Sequence, residues 1–222
     1  MGRAKEVIIK VIPSKIANDF IKKHHYSGKV VPNSTLHFGA FLDGKLHGVM
    51  SYGPSINKKG TMNLVKGTGW NEFIELNRMA FDDYLPRNSE SRCIAYSLKL
   101  IKKNAPQIKW VISFADGTQC GDGTIYRASN FVLTDIRKNE ALKVNPETGE
   151  KMHTITAYHH KNKDFKNWDA LDGYQLRYLY FIDKSMQANL TVPIIPFDKI
   201  DEMHAGMYKG QKVTRSERHI DK

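Results

Sequence analysis

Cysteine, acidic side chains and long apolar runs are all scarce in this sequence. The two cysteines, Cys93 and Cys120, form no CxxC pair and join no Cys/His set with zinc spacing. This excludes a disulfide framework and a structural zinc site, and it points to a reducing compartment. No apolar run approaches the roughly 18 residues that span a bilayer, and Met1-Gly-Arg-Ala-Lys-Glu leads into a strand-like run instead of a signal peptide. A soluble, cytoplasmic protein with no membrane partner is expected. Internal repeats and low-complexity tracts are missing as well, which excludes solenoids and arrays. Asp and Glu number 23 against 34 Lys and Arg, so the chain carries +11. A surplus of that size suits a polyanion, nucleic acid above all, although basic residues spread along the whole chain also serve solubility.

What remains is an ordinary globular composition. Of 222 residues, 41% are apolar and 26% charged, enough for one domain with or without an extension. Glu6 to Pro13 is rich in β-branched residues and reads as a strand. It runs into a helix capped at Ser14 and ending near His25, with Ile16, Phe20 and Ile21 as its apolar stripe and Gly28 as its stop. Leu36 to Leu42 and Leu46 to Tyr52 flank Asp43-Gly44, a hairpin signal. Further strands are read over Phe73 to Phe81, Trp110 to Ala115, Phe131 to Ile136, His153 to Tyr158 and Tyr174 to Asp183, and helices over Ser89 to Lys103 and Thr124 to Asn130. The order predicts a mixed α/β fold on one central sheet, too rich in strands in its first half for a doubly wound alternation.

Four places carry residues suited to chemistry. Asp116 leaves the apolar Trp110 to Ala115 run with glycines behind it. Open α/β sheets bind ligands at such strand ends, where partial burial turns a carboxylate toward a general-base role; an Asp-Gly turn is the plainer reading. In Glu75-Leu76-Asn77-Arg78, alternation puts Glu75 and Asn77 on one face and Leu76 and Arg78 on the other, where Arg78 either pairs with a carboxylate or binds an anionic substrate. His24-His25-Tyr26 closes a helix; adjacent histidines diverge and do not chelate one metal, but one of them could line a cleft with Tyr26. Arg87 to Arg92 opens a helix, where first-turn N–H groups together with Arg87, Ser89, Ser91 and Arg92 could hold a phosphate, unless Ser89 is simply the cap. No two-His-one-carboxylate spacing is present, so no metal is assigned and iron is left open.

The succession of strand, short loop, capped helix, buried strand and Tyr-containing helix looks like the acetyltransferase-type (GNAT) fold. A narrower resemblance rests on His25-Tyr26-Ser27, Glu75-Leu-Asn-Arg78, Leu85-Pro-Arg-Asn-Ser-Glu-Ser-Arg92, Phe114-Ala-Asp116 and Gly123-Thr-Ile-Tyr-Arg-Ala-Ser129, in that order. Together these segments resemble the phage Mom family of DNA-modifying proteins. The resemblance implies a GNAT-like N-acyltransferase fold, a central mixed and mostly antiparallel sheet flanked by helices. Its catalytic domain would span residues 1–192, followed by a basic C-terminal extension over residues 193–222. It implies conversion of adenine in DNA to N6-carbamoylmethyladenine, which protects phage DNA from restriction in the host cytoplasm. The family's important polar set would fall on His25, Tyr26, Arg78, Ser91, Asp116 and Tyr126.

Residues 87–92 lack the glycine-rich spacing that cradles the pyrophosphate of coenzyme A, which argues against acetyl-CoA. A glycine-derived donor, such as glycyl-tRNA, suits both the product and the charge. Because N6 is engaged in pairing, adenine would have to leave double-stranded DNA. Tyr26, Tyr52 and Tyr126 would offer stacking surface, Asp116 would take a proton from the attacking amine, and Arg78 with Arg87, Ser89, Ser91 and Arg92 would hold the donor. Lys161, Lys163 and Lys166, and farther on Lys209, Lys212, Arg215 and Arg218, are candidates for phosphate contacts. Two rivals stand beside this reading: an ordinary acetyl-CoA-dependent acetyltransferase acting on a protein or small amine, and a non-enzymatic DNA-binding or anti-restriction module.

Overall fold

The structure, a computed structural model, describes residues 3–118 and 121–207. Cys120, Lys209, Lys212, Arg215 and Arg218 therefore lie outside the described residues. The chain divides into two compact units, the first made of Met1–Phe114, Thr124–Thr134 and Arg177–Ile195, the second of Ala115–Gly123, Asp135–Leu176 and Pro196–Lys222.

In chain order the elements are β1 (Ile8–Val11), α1 (Ser14–His24), β2 (Leu36–Leu42), β3 (Lys45–Gly53), α2 (Lys58–Met62), β4 (Phe73–Phe81), α3 (Ser89–Asn104), β5 (Trp110–Asp116), α4 (Thr124–Ala128) and β6 (Val132–Lys138). There follow β7 (Leu142–Val144), β8 (Lys151–His153), α5 (Thr154–His159), β9 (Asp169–Ala170), β10 (Tyr174–Phe181) and α6 (Lys199–Glu202). Seven strands form one sheet in the order β1-β2-β3-β4-β5-β10-β6. The pairs from β1 to β4 are antiparallel and β4 with β5 is parallel, so the sheet is mixed and mostly antiparallel as expected. Asp43 and Gly44 both take positive φ, 51° and 75°, the combination a type I′ turn requires and the reason Asp-Gly marks this hairpin.

The apolar run at Trp110 is a central strand, with Trp110, Val111 and Ile112 wholly buried. Trp110 stacks on Phe73 at 4.6 Å and 10° and packs with Val65, Leu179 and Phe181. Its indole N–H donates to Thr68 Oγ1 at 3.0 Å, so the ring is buried without leaving a polar atom unmatched. Against the other strands, α1 packs Ala17 and Ile21 on Ile12, Val49 and Ala80. Ile16 was expected in this stripe and is exposed instead, because a stripe centred on positions 17 and 21 turns position 16 to its rim. Ser14 is not the cap either: Pro13 holds that position, with no side-chain bond.

His153 to Tyr158, expected as a strand, is helical from Thr154 onward. His153 Nδ1 accepts the Ile155 N–H at 3.2 Å and caps the turn, and Ala157 is buried against Met152, Phe165 and Trp168. Alternating Thr and Ile suit a strand by propensity, but a capping side chain and one buried small residue decide for helix. In the second unit β7 pairs with both β8 and β9 in a separate three-stranded sheet.

Two irregularities matter for function. The pairing of β4 with β5 runs from Phe73 and Trp110 to Leu76 and Ser113 and stops, although both strands continue. The register of β3 against β4 slips between Ser51 and Tyr52, which face Arg78 and Leu76, so Asn77 is the extra residue of a β-bulge. Bulges re-aim side chains and are frequent beside active sites.

Candidate functional site

Residues paired across strands share a face of the sheet, so Tyr52, Leu76 and Ser113 lie on one side and Gly53, Glu75 and Ile112 on the other. On the first side the Tyr126 hydroxyl of α4 lies 2.7 Å from Ser113 Oγ, and Ser113 donates to the Leu76 carbonyl at 3.0 Å, where the two strands part. The Tyr52 and Ser97 hydroxyls are 2.6 Å apart and tie β3 to α3. Burial, with the nearby Tyr126 adding to it, pushes the Tyr52 phenol well above its ordinary range, so it stays a neutral hydroxyl.

These contacts correct the expected stacking surface. Tyr52 is fully buried and Tyr126 only 6% exposed. The Tyr126 ring packs on Phe131 and Tyr178 at 5.3 and 5.0 Å and Tyr52 meets Phe38 edge-on, so neither ring face is open to a base. Tyr26 is the open one, 49% exposed. Ser113 was not foreseen as a site residue. Its signal was a lone hydroxyl inside the apolar run Trp110 to Ala115, where a buried polar atom needs a partner.

On the other side the bulge breaks the expected alternation. Asn77 accepts from Ser34 Oγ at 3.0 Å, which ties β4 to the loop after α1. Arg78, expected either to pair with a carboxylate or to bind an anion, forms no ion pair among the described residues. Its Nε donates to the Lys29 carbonyl at 3.0 Å and its Nη1 to the Asn77 carbonyl at 2.9 Å. Two neutral acceptors orient the guanidinium and leave its charge for a further group. The same loop carries His25, which caps α1 through its N–H on Ile21. His25 Nδ1 accepts from the Ser27 N–H at 3.1 Å, which puts the proton of the neutral ring on Nε2, and the ring lies 4.3 Å from that of Tyr26. The loop that carries His25 and Tyr26 thus meets Asn77 and Arg78 through its Ser34 and Lys29.

Glu75 is the half-buried carboxyl of this face. Desolvation raises its pKa, and hydrogen bonds from Ser55 and Asn77 and the charge of Arg78 offset that only in part. A folded-state pKa above the unfolded value means stability is full below the ordinary carboxylate range and declines as pH rises through the folded value. Glu75→Gln removes this term. The variant should melt at least as high as the parent at neutral pH and gain on it as pH is raised from acid, which thermal melts across that range would read. A lower melting point at neutral pH would mean that the ionised carboxylate is itself a structural partner. The thiol of Cys93 is pushed up to about 12 by burial, which removes it as a nucleophile.

The start of α3 differs from an ordinary cap. Asn88 occupies the cap position in the left-handed conformation, φ 68°, without a side-chain bond, and Ser89, expected as the cap, is the first helical residue. Ser89 is wholly buried and its Oγ has no partner among the described residues. The Ser89 N–H donates to the Pro86 carbonyl at 3.1 Å and its hydroxyl is buried out of a ligand's reach, so exposed Arg87 and the later first-turn N–H groups are what could meet an anionic group such as a phosphate. Ser91 Oγ donates to the Asn88 carbonyl at 3.3 Å. Arg92 lies over the Tyr96 ring at 4.8 Å and donates to the Tyr96 hydroxyl and the Lys5 carbonyl, so its guanidinium is engaged along the helix.

In the second unit, Asp116 Oδ1 accepts the Thr118 N–H at 2.9 Å and the Asp116 carbonyl accepts from Gly121 at 3.1 Å. The turn reading of Asp116 is therefore realised. Lys161, Lys163 and Lys166 are exposed around the end of α5. Among the described residues there is no cluster of three or more His, Cys, Asp or Glu that could hold a metal ion, and no helix long and apolar enough to cross a membrane.

Comparisons with known proteins bear on both fold and family. Two solved acetyltransferases align with a TM-score of 0.50: spermidine/spermine N-acetyltransferase SpeG from Vibrio cholerae, 8% identical over 84% of this chain and 99% of its own, and an N-acetyltransferase from Staphylococcus aureus Mu50, 10% identical over 79% and 98%. At such identities the likeness concerns the fold alone, which is that of the GNAT acetyltransferases, as the succession of strand, loop, helix, buried strand and Tyr-containing helix led one to expect. The methylcarbamoylase Mom of Escherichia phage Mu is 34% identical over 203 residues, covering 86% of this chain and 82% of that protein. The sequence model of the Mom protein family matches residues 6–199, a span that holds His25, Glu75, Arg78, Asp116 and Tyr126 alike, and the chain belongs to the Mom protein family.

Proposed function

We propose that the protein is a transferase that modifies phage DNA, converting adenine to N6-carbamoylmethyladenine and so shielding the DNA from host restriction. The observation that carries this reading is the 34% identity to the phage Mu methylcarbamoylase over 203 residues. In this reading the modified adenine leaves the duplex, because its N6 amine is engaged in pairing inside the stack. Tyr26, the open aromatic, receives the base, and Arg78 meets the negative charge of the donor. Asp116 takes the proton of the attacking amine, while Tyr126, buried on the opposite side of the sheet from Arg78 and bonded to Ser113, ties α4 to β5.

In this reading exposed Arg87 and the first-turn N–H groups of α3 beyond Ser89 meet one phosphate. Residues 87–92 contain no glycine and so lack the glycine-rich spacing that cradles the pyrophosphate of coenzyme A. This favours a glycine-derived donor carried on tRNA, glycyl-tRNA in particular, over acetyl-CoA. N6 bonds to the glycyl carbonyl as the ester to the tRNA hydroxyl breaks. The glycyl amine then closes on C6 while the C6–N6 bond breaks, so the original N6 becomes the amide nitrogen of carbamoylmethyl. The net charge of +11 suits both polyanions.

The deciding experiment is expression in bacteria followed by digestion of total DNA to nucleosides and mass spectrometry. A deoxyadenosine carrying carbamoylmethyl is the expected product. A glycyl group joined through its carbonyl to N6 has the same composition as carbamoylmethyl, so fragmentation against synthetic standards must accompany the mass. An acetylated amine elsewhere in the cell, with unmodified DNA, would support an ordinary acetyltransferase instead. The lysines of the second unit give a separate test. Replacing Lys161, Lys163 and Lys166 with Glu should reduce the slope of log affinity against log salt by about 3 if each neutralises one phosphate. An unchanged slope would remove them from the interface.

A further inference from the structure

A cavity opens within the first unit at the end of the sheet where β3 finishes and β4 and β5 begin. Its volume is about 380 Å³, at the small end of the roughly 300–1,000 Å³ of small-ligand clefts. Pro54, Ile74 and Ile108 line it with apolar surface, and Thr35, Lys58, Asn71 and Gln107 with polar groups. Lys58 is half-buried and forms no ion pair among the described residues. Its Nζ lies over the Trp70 ring at 4.4 Å and donates to Asn71 Oδ1 at 3.3 Å. Two neutral groups thus hold an ammonium at the cavity wall and leave its charge unmatched. Along β4, Ile74 stands about 13 Å from Arg78 at a rise of about 3.3 Å per residue. Thr35, on the wall, ends the loop that opens with His25 and Tyr26.

A small anion or a lone carboxylate would answer Lys58 but leave the apolar wall wet, and an apolar ligand would bury an unpaired ammonium. A nucleotide answers both demands. Its flat base covers Pro54, Ile74 and Ile108, the amides of Asn71 and Gln107, each both donor and acceptor, meet the polar edge of the base, and its phosphate meets Lys58. In a duplex that edge is paired and the base faces are stacked, so the nucleotide has to be an unpaired one. We propose that this cavity binds one unpaired nucleotide of a nucleic-acid strand, with Trp70 as the positioning residue that fixes Lys58 for the phosphate. The inference goes beyond the proposed function, because the lining of the cavity carries it. It adds a second point of contact for the strand that supplies the nucleotide, either DNA opened beside the modified adenine or the single-stranded end of a donor tRNA.

The test measures binding of a single-stranded hexanucleotide containing all four bases, once as DNA and once as RNA, to the full-length protein. Lys58→Gln should weaken binding by about tenfold, the usual worth of a hydrogen bond to a charged group, and Gln107→Leu by about fivefold. Lys59→Gln removes the same charge from the exposed neighbouring position and should change binding by less than about twofold. Adenosine 5′-monophosphate should displace the hexanucleotide better than inorganic phosphate does at equal concentration. Gln107 is an exposed loop residue, so its variant keeps the test decisive should Lys58→Gln fail to fold. Tighter binding of the DNA strand would assign the nucleotide to DNA and tighter binding of the RNA strand to the tRNA; either supports the site. Equal losses from Lys58→Gln and Lys59→Gln would mean general attraction to a basic surface, and equal displacement by inorganic phosphate a bare anion site. Each of these, like failure of the parent protein to bind either strand, would overturn the proposal. The readout is binding and not modification, so the cavity can fail this test while adenine modification stands, and the reverse.

Discussion

Replacing Asp116 by Ala is expected to lower DNA modification by about 10²–10⁴, the usual worth of a general base, while affinity for duplex DNA stays within about twofold, since no phosphate contact is lost. The turn that Asp116 makes gives this experiment its control. Its carboxylate accepts the Thr118 N–H, and Thr118 Oγ1 in turn accepts from Asn139 Nδ2 at 3.1 Å. A Cβ on Gly173 would fall within 2.6 Å of the Thr118 Cα, so the turn is closely packed within its unit. An Asn at position 116 can still accept the Thr118 N–H, but it cannot take a proton. Asp116→Asn should therefore match the parent in thermal stability and match Asp116→Ala in lost activity. Activity restored by Asn would assign Asp116 to the turn alone and would move the search for the proton acceptor to Glu75, the half-buried carboxyl on β4.

Gly53→Ala is expected to cost about 1–3 kcal/mol of stability, the usual penalty of overpacking, or about 2–4 °C in melting temperature for each kcal/mol in a chain of this size. The position is crowded by backbone, which cannot rotate away. A Cβ there would strike the Asn33 carbonyl and come within 2.8 Å of the Ser34 Cα and the Asn77 Oδ1. The same close approach lets Asn33 Nδ2 donate to the Pro54 carbonyl at 2.8 Å and Thr35 donate to the Tyr52 carbonyl at 2.8 Å, clamping the loop after α1 onto β3. That loop presents His25, Tyr26 and the carbonyl that orients Arg78. The loss should thus appear in activity as well as in melting temperature, and more in activity at temperatures where the protein remains folded. Unchanged stability and rate together would mean that the loop relaxes without displacing Arg78, and that its fit against β3 is not what positions the site.

Elements that depend on neighbours in sequence were legible. The hairpin followed from Asp43-Gly44, which allows two consecutive positive φ values, and β4, β5, α3 and β10 followed from alternation, an unbroken apolar run or helical spacing. Where a single side chain or a distant packing contact decided, the reading failed. Thr154 to Tyr158 carries strand propensity and became a helix through the His153 cap and the burial of Ala157. Ser89 has the composition of a cap but lies one residue inside the helix, because the left-handed Asn88 places the turn.

The candidate site divides along the same line. His25, Tyr26, Arg78, Ser91, Asp116 and Tyr126 could be named from motifs in their order. Their roles depend on features that no local pattern encodes. The extra residue Asn77 exists only relative to the register of β3, and the parting of β4 from β5 only relative to their shared pairing up to Leu76 and Ser113. Likewise, that Tyr52 and Tyr126 turn their rings inward while Tyr26 and Tyr158 stand open is decided by what packs against each. The amino-acid order by itself determined the fold class, the family and the inventory of polar residues, because these reside in short-range periodicity and motif. The tertiary structure alone decided which of those residues are oriented, buried or exposed, because burial and strand register are set by contacts between segments far apart in the chain.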